Sequence, residues 1–202
     1  MENTNPEESN RIIIPKLFYD SLNDAPFTNC LMCNRHLLMN PTTYLIEKAY
    51  RKNPVNGKKE IIFEYAICWN CISKFTESYS KKSMANITEY FNDNIVRRER
   101  SELMKIPEAW NKPDFFLSKC SIKGTPVKEL DEYQVLGYFY GRFMTLDSPP
   151  FLFSGAVSDE ILSILSEQTL DELDDFTGKY LTGPPEFSDF LRAPKRKPVI
   201  LL

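Results

Sequence analysis

Histidine is almost missing from this chain: His36 is the only one in 202 residues. The shortage bears first on catalysis. A Ser-His-Asp triad or a Cys-His pair would have to be built on His36, and a metal-dependent nuclease would need further histidines for its metal and its base. Also lacking is any run near the ~20 apolar residues that a membrane-spanning helix requires. Residues 1–10 are polar and acidic, and Ile12-Ile13-Ile14 is too short for a secretory apolar core. Export is therefore not expected, and a cytoplasmic setting that keeps thiols reduced is. Positive charge is not in surplus either. A net charge of −3 and a pI near 5.4 argue against a polyanion binder or a membrane-surface protein.

What is present suits a globular fold. Apolar residues make up 42% of the chain and charged residues 26%, an ordinary balance for one large or two small domains. With 14 Phe and 10 Tyr, the chain has enough apolar surface to order itself outside the termini. Charge is uneven: residues 27–105 carry a small positive excess, and residues 106–191 a marked negative one. That asymmetry supports two sub-structures, preceded by an N-terminal arm. Residues 1–26 read as an N-terminal arm, partly mobile, and 27–106 as a zinc-binding hairpin-helix domain. Residues 107–202 read as a C-terminal α+β region with a short basic-apolar tail, separated by a linker from Pro107 to Asp114. No internal repeat and no low-complexity tract is visible.

Thr43 to Arg51 and Glu60 to Cys68 are rich in β-formers and alternate in polarity, and Asn56-Gly57 between them suits a tight turn, so an antiparallel hairpin is expected. From Asn70 the period changes to three and four. Ile72, Phe75 and Tyr79 predict one helix, and Met84, Ile87, Phe91 and Ile95 predict a second running to about Met104. A break near Lys82-Ser83 separates them, with Ser83 or Asn86 as the cap. Phe115 to Ile122 and Tyr133 to Leu146 read as strands, and Ser148-Pro149-Pro150 as the end of the β region. Helices are expected at Ser158 to Ser166 and Leu170 to Leu181, the latter starting from a capping box of Thr169 and Glu172. The fold class expected is α+β.

The chemistry-bearing feature is a set of four cysteines. Cys30-Leu31-Met32-Cys33 precedes the hairpin, and Cys68-Trp69-Asn70-Cys71 joins its last strand to a helix. Each C-x2-C pair can supply two thiolates from one turn, and zinc favours four such ligands in a tetrahedron. The helix N-terminus adds a dipole that favours thiolate at Cys71. One structural zinc per chain, held by Cys30, Cys33, Cys68 and Cys71, is the expectation. Four separate buried thiols, or a redox pair at Cys68 and Cys71, are the competing readings. The redox pair lacks the βαβ context of a thioredoxin site, and all-thiolate ligation also admits iron. His36 stands beside the site as a surface residue or a substitute ligand. The fifth cysteine, Cys120, reads as a small buried hydrophobe.

The order of knuckle, hairpin and helix bearing the last two ligands resembles the treble-clef zinc finger over residues 27–80. That resemblance implies a scaffold shared by nucleic-acid binders, interaction modules, ribosomal proteins and nucleases, and no single function. The whole chain also resembles bacterial proteins with two CxxC pairs and a Glu-Tyr-Ala-Ile-Cys stretch, here Glu64 to Cys68, and this implies no mechanism.

Other candidates have plainer explanations. Asp171, Asp174 and Asp175 share a helical face that could hold a cation, but acids also suit a helix N-terminus. Lys81-Lys82 and Arg97-Arg98-Arg100, with Tyr79, Tyr90 or Trp69 for stacking, could contact phosphates. Interleaved acids and the acidic second half disfavour that. The expected function is a non-enzymatic, zinc-stabilised protein-interaction or adaptor module with a protein partner and no membrane. The alternative is a nucleic-acid-binding or ribosome-associated zinc protein. A distant third is an enzyme with its site in the C-terminal half.

Overall fold

The computed structural model describes residues 12–39, 42–94, 102–103, 105–106, 112–145, 148–181 and 197–198. The fold is α+β. Eight strands are described: β1 (Ile12–Ile13), β2 (Tyr19–Asp20), β3 (Ala25–Pro26), β4 (Thr43–Lys52), β5 (Lys59–Cys68), β6 (Glu132–Tyr140), β7 (Phe143–Met144) and β8 (Phe151–Ser154). The helices are α1 (Trp69–Thr76), α2 (Lys81–Asn94), α3 (Asp114–Leu117), α4 (Gly155–Ser163) and α5 (Glu167–Tyr180).

The β4–β5 hairpin forms as its alternation predicts, paired from Tyr44↔Cys68 to Lys52↔Lys59 with an irregularity at Ala49/Tyr50. The other edge of β4 pairs with β6, from Thr43↔Tyr140 to Arg51↔Glu132. The far edge of β6 is shared by β7 and β8, and β1 extends β7. One antiparallel sheet therefore joins what composition separates at 107–114. Residues 107–111 of that linker lie outside the described residues. The physical reason is that β4 is buried along both faces from Tyr44 to Tyr50, and a strand so placed needs a partner on each edge.

One sheet face carries the helices. Tyr65 packs edge-on against Phe176 of α5, which also meets Phe75 of α1. Ser80, Ser83, Ser166 and Thr169 join the start of α2 to the start of α5 through hydroxyl hydrogen bonds. The arm covers the opposite face: Phe18 packs on Phe139, Lys48 pairs with Glu64 at 2.7 Å, and its ammonium donates to the Tyr19 carbonyl. Gly137 lets this layer close, since a Cβ there would meet the rings of Phe18 and Phe139 at 3.0 Å.

Several elements differ from the sequence reading. Phe115 to Ile122 is not a strand: Pro113 starts the short helix α3, which buries Phe116 and Leu117, and a tight turn follows. Tyr133 to Leu146 breaks into β6 and β7 at Gly141, whose φ of 56° turns the chain; Leu146 lies outside the described residues. The β region does not end at Ser148-Pro149-Pro150, because β8 follows it. The break before α2 falls earlier than expected, and Ser80 Oγ, not Ser83 or Asn86, accepts from the Ser83 amide at 3.1 Å. Ser166, not Thr169, caps α5, its hydroxyl accepting from the Thr169 amide. The expected end of α2 at Met104 is outside the described residues.

Candidate metal centre

The first cysteine pair sits on a closed turn. The Cys30 amide donates to the Arg35 carbonyl at 2.9 Å, and the Asn34 amide returns to the Cys30 carbonyl at 2.9 Å. An Asn29↔His36 bridge and a Leu37 amide to Thr28 carbonyl bond of 2.8 Å close the base. The turn needs a left-handed residue after Cys33. Asn34 fills that place with φ 57°, as asparagine tolerates better than most residues. The second pair comes from β5 and α1: Cys68 ends the strand and stands at the helix N-cap, and Cys71 lies in the first helical turn. The two parts are stitched by the Leu31 amide to the Ala66 carbonyl at 2.9 Å and by the Cys68 amide to Cys30 Sγ at 3.4 Å.

The result is a thiol cluster. The four sulfurs of Cys30, Cys33, Cys68 and Cys71 all lie within 4.8 Å of one another, and Cys33 Sγ is 3.7 Å from Cys68 Sγ. A tetrahedron with metal–sulfur bonds of ~2.3 Å has sulfur–sulfur edges of roughly 3.8 Å. The donor set thus fits a thiophilic cation in both chemistry and spacing, and these four cysteines are positioned to bind a metal ion. None of the five cysteines is in a disulfide.

Electrostatics give the same picture from the proton side. Burial pushes the Cys68 thiol up. Burial and the neighbouring Cys33 and Cys68 push Cys71 up further. Cys33 is exposed; burial still opposes its ionisation, but hydrogen bonds from the Arg35 backbone and the other cysteines leave it lowered. Four sulfurs this close cannot all ionise without a cation between them. A cation held by all four thiolates would have a closed coordination shell, with no position for a reactive water.

His36 is not placed as a ligand. Its Nδ1 accepts from the amides of Leu38 and Met39 at 3.2 and 3.1 Å, so it caps the turn after the first pair. The other candidates do not gather here. Asp174 pairs with Lys197 at 2.7 Å, and the Lys197 carbonyl accepts from Gln134, so this part of the basic tail lies against β6 and α5. Tyr79 is buried, Tyr90 donates to Glu160 at 2.6 Å, and Trp69 alone of the three stacking candidates is exposed. Arg97, Arg98 and Arg100 lie outside the described residues. Sequence reasoning missed Glu47, a fully buried carboxylate on β4 that accepts from the Tyr65 hydroxyl. Its only sequence signal is an acid placed after Tyr44-Leu45-Ile46 in a β-forming run.

Trp69 belongs to an apolar row beside the cysteines, in which Tyr138 and Phe143 are half-buried. It meets Tyr138 edge-on, at 6.5 Å between ring centroids. Tyr138 and Tyr140 point to the same sheet face, two residues apart on β6. Tyr140 pairs with Phe143, and Phe143 with Ile13. Trp69, Tyr140 and Ile13 are 45, 46 and 68% exposed. The row lies on the helix-bearing face of the sheet, with Trp69 itself standing at the start of α1.

Searched against protein-family models, curated proteins and solved structures, the chain matches none. The resemblance of the whole chain to bacterial double-CxxC proteins therefore gains no support from them. No described helix is long and apolar enough to cross a membrane.

Proposed function

We propose that the chain is a non-enzymatic, cytoplasmic interaction module, in which one structural zinc holds a treble-clef-like hairpin and helix so that an aromatic sheet face can dock a protein partner. The observation that carries this reading is the exposure of Trp69, Tyr140 and Ile13 in one apolar row. Aromatic side chains are enriched at protein interfaces, where they bring large contact area at low entropic cost. The metal cluster supports it by position: Trp69 follows Cys68 directly, so the ligand turn and the first exposed anchor move as one piece. The partner should offer apolar side chains to this row. Zinc is the metal that four thiolates in a closed site serve best as a structural ion. A nucleic-acid role has less behind it, since Tyr79 is buried and Tyr90 is engaged by Glu160.

The test compares the full chain with a Trp69→Ser/Tyr140→Ser variant, both tagged and expressed in the native host. A protein that co-purifies with the first after nuclease treatment, and is lost with the second while the metal is retained, supports the reading. Binding of mixed RNA and DNA that weakens steeply with salt, and survives the double substitution, would replace it with the nucleic-acid reading.

A further inference from the structure

The turn that follows α3 repeats the cysteine turn bond for bond. The Cys120 amide donates to the Thr125 carbonyl at 2.8 Å, and the Gly124 amide returns to the Cys120 carbonyl at 2.9 Å. A Lys119↔Pro126 bridge and a Val127 amide to Ser118 carbonyl bond of 2.9 Å close its base. Every offset equals that of the turn at Cys30, and Gly124, with φ 69°, takes the left-handed place of Asn34. Local turns can share such a pattern by chance, but the long-range bonds repeat as well. The Ser121 amide reaches the Leu152 carbonyl at 2.7 Å, as Leu31 reaches Ala66. The Ser154 amide reaches Cys120 Sγ at 3.4 Å, as Cys68 reaches Cys30 Sγ at 3.4 Å. Ser154 ends β8 and caps α4, as Cys68 ends β5 and caps α1.

The sheet carries the same relation. Tyr44 is paired with Cys68, and Tyr133 with Ser154. Where β4 meets β6, Tyr44↔Phe139 and Tyr50↔Tyr133 lie symmetrically about Glu47↔Leu136. Exchanging Tyr44 with Tyr133, at a constant offset along the two strands, turns each pair into the other. A pseudo-twofold axis therefore passes through Glu47↔Leu136 and relates the two lobes, so the chain has an internal repeat that its residues conceal.

We propose that residues 118–145 and 148–163 form a second knuckle-hairpin-helix lobe and a latent metal site, in which Cys120, Lys123, Ser154 and Val157 stand at the positions of Cys30, Cys33, Cys68 and Cys71. In the natural chain this lobe is closed without metal. Cys120 Sγ accepts from the Ser154 and Lys123 amides and lies 3.6 Å from Ser154 Oγ, to which its thiol donates. Ser154 Oγ also accepts from the Val157 amide. Val157 fills the fourth ligand position with apolar bulk, and the Lys123 ammonium turns outward to Glu160 at 2.7 Å. The backbone that presents four ligands remains, so three side chains separate this lobe from a thiophilic divalent-cation site.

The inference rests on the four-cysteine cluster being a metal site, and cobalt(II) titration of the reduced full chain separates the two claims. The natural chain should take up one equivalent with thiolate-to-cobalt absorption, which tests the first lobe alone. The Lys123→Cys/Ser154→Cys/Val157→Cys variant should take up two. A folded triple variant that still binds only one equivalent overturns the latent site, whatever the first lobe does. Should the triple variant not fold, amide exchange of the natural, metal-loaded chain decides. Slow exchange at Ser121, Gly124 and Ser154 upholds the matched backbone, and free exchange there overturns it.

Discussion

The two lobes solve one backbone problem with different side chains. In the first, Cys30, Cys33, Cys68 and Cys71 crowd their sulfurs within 4.8 Å, and burial pushes the Cys68 and Cys71 thiols up. That arrangement is strained in charge unless a cation sits among the sulfurs. In the second, Ser154 and Cys120 satisfy one another, Val157 packs, and Lys123 points out to Glu160. A knuckle turn, a strand pair and a helix N-terminus can thus be held by a metal or by ordinary polar and apolar contacts. The difference is local, because β4 and β6 share a full-length edge in either case.

The largest expected effect comes from removing the metal. A structural zinc contributes folding free energy on the order of 10 kcal/mol in small modules. Chelation, or Cys68→Ser, should therefore strip protection from the Leu31 amide and lower the thermal midpoint sharply, while Ser121 and Ser154 amides in the second lobe exchange more slowly. Equal loss in both lobes would erase the contrast, and unchanged circular dichroism on chelation would remove the structural role itself. Next is Val157→Ala in the metal-free lobe. Two fully buried methyl groups are lost, at about 2 kcal/mol by transfer and cavity terms, and the urea midpoint should fall accordingly.

A smaller pair of effects compares the turns. Gly124→Ala forces a Cβ into left-handed backbone at a cost of about 1–2 kcal/mol. Asn34→Gly should be neutral or slightly stabilising, because the place it holds is the one Gly124 fills. If both substitutions behave alike in urea melts, the turns are not equivalent. The smallest effect is Lys123→Ala. The ion pair with Glu160 is well exposed, so its removal should cost under ~1 kcal/mol. Hydrogen bonds from Lys123 and then Tyr90 hold the Glu160 carboxyl below its ordinary value of 4.5. Its contribution is thus full above that value and fades as pH falls through the lowered one. Lys123→Ala should flatten this acid limb of the stability curve, and an unaltered limb would assign it to other carboxylates.

Much of the first lobe is legible in the residues. Two C-x2-C pairs, alternating strands and Asn56-Gly57 specify the hairpin and the cluster from short-range pattern alone. The Leu170, Leu173, Phe176, Tyr180 stripe likewise marks α5, though its start falls at Ser166. The second lobe is hidden for physical reasons. Three of its four ligand positions carry no ligand, β8 is four residues long behind Pro149-Pro150, and α3 sits in an apolar run that also suits a strand. The pairing of β4 with β6 spans some ninety residues, beyond any local periodicity. One signal was available: a left-handed-tolerant residue four positions after a cysteine occurs both at Cys30, as Asn34, and at Cys120, as Gly124.

The contrast between the lobes reduces to metal stoichiometry. Native mass spectrometry of the reduced full chain, against the same protein denatured in acid, reads both the number and the identity of bound ions. One zinc per chain is the predicted result, lost completely on acidification. Iron in its place would keep the site and change only the ion. No metal in protein purified under reducing conditions, or two ions in the natural chain, would contradict a metal-held first lobe beside a metal-free second.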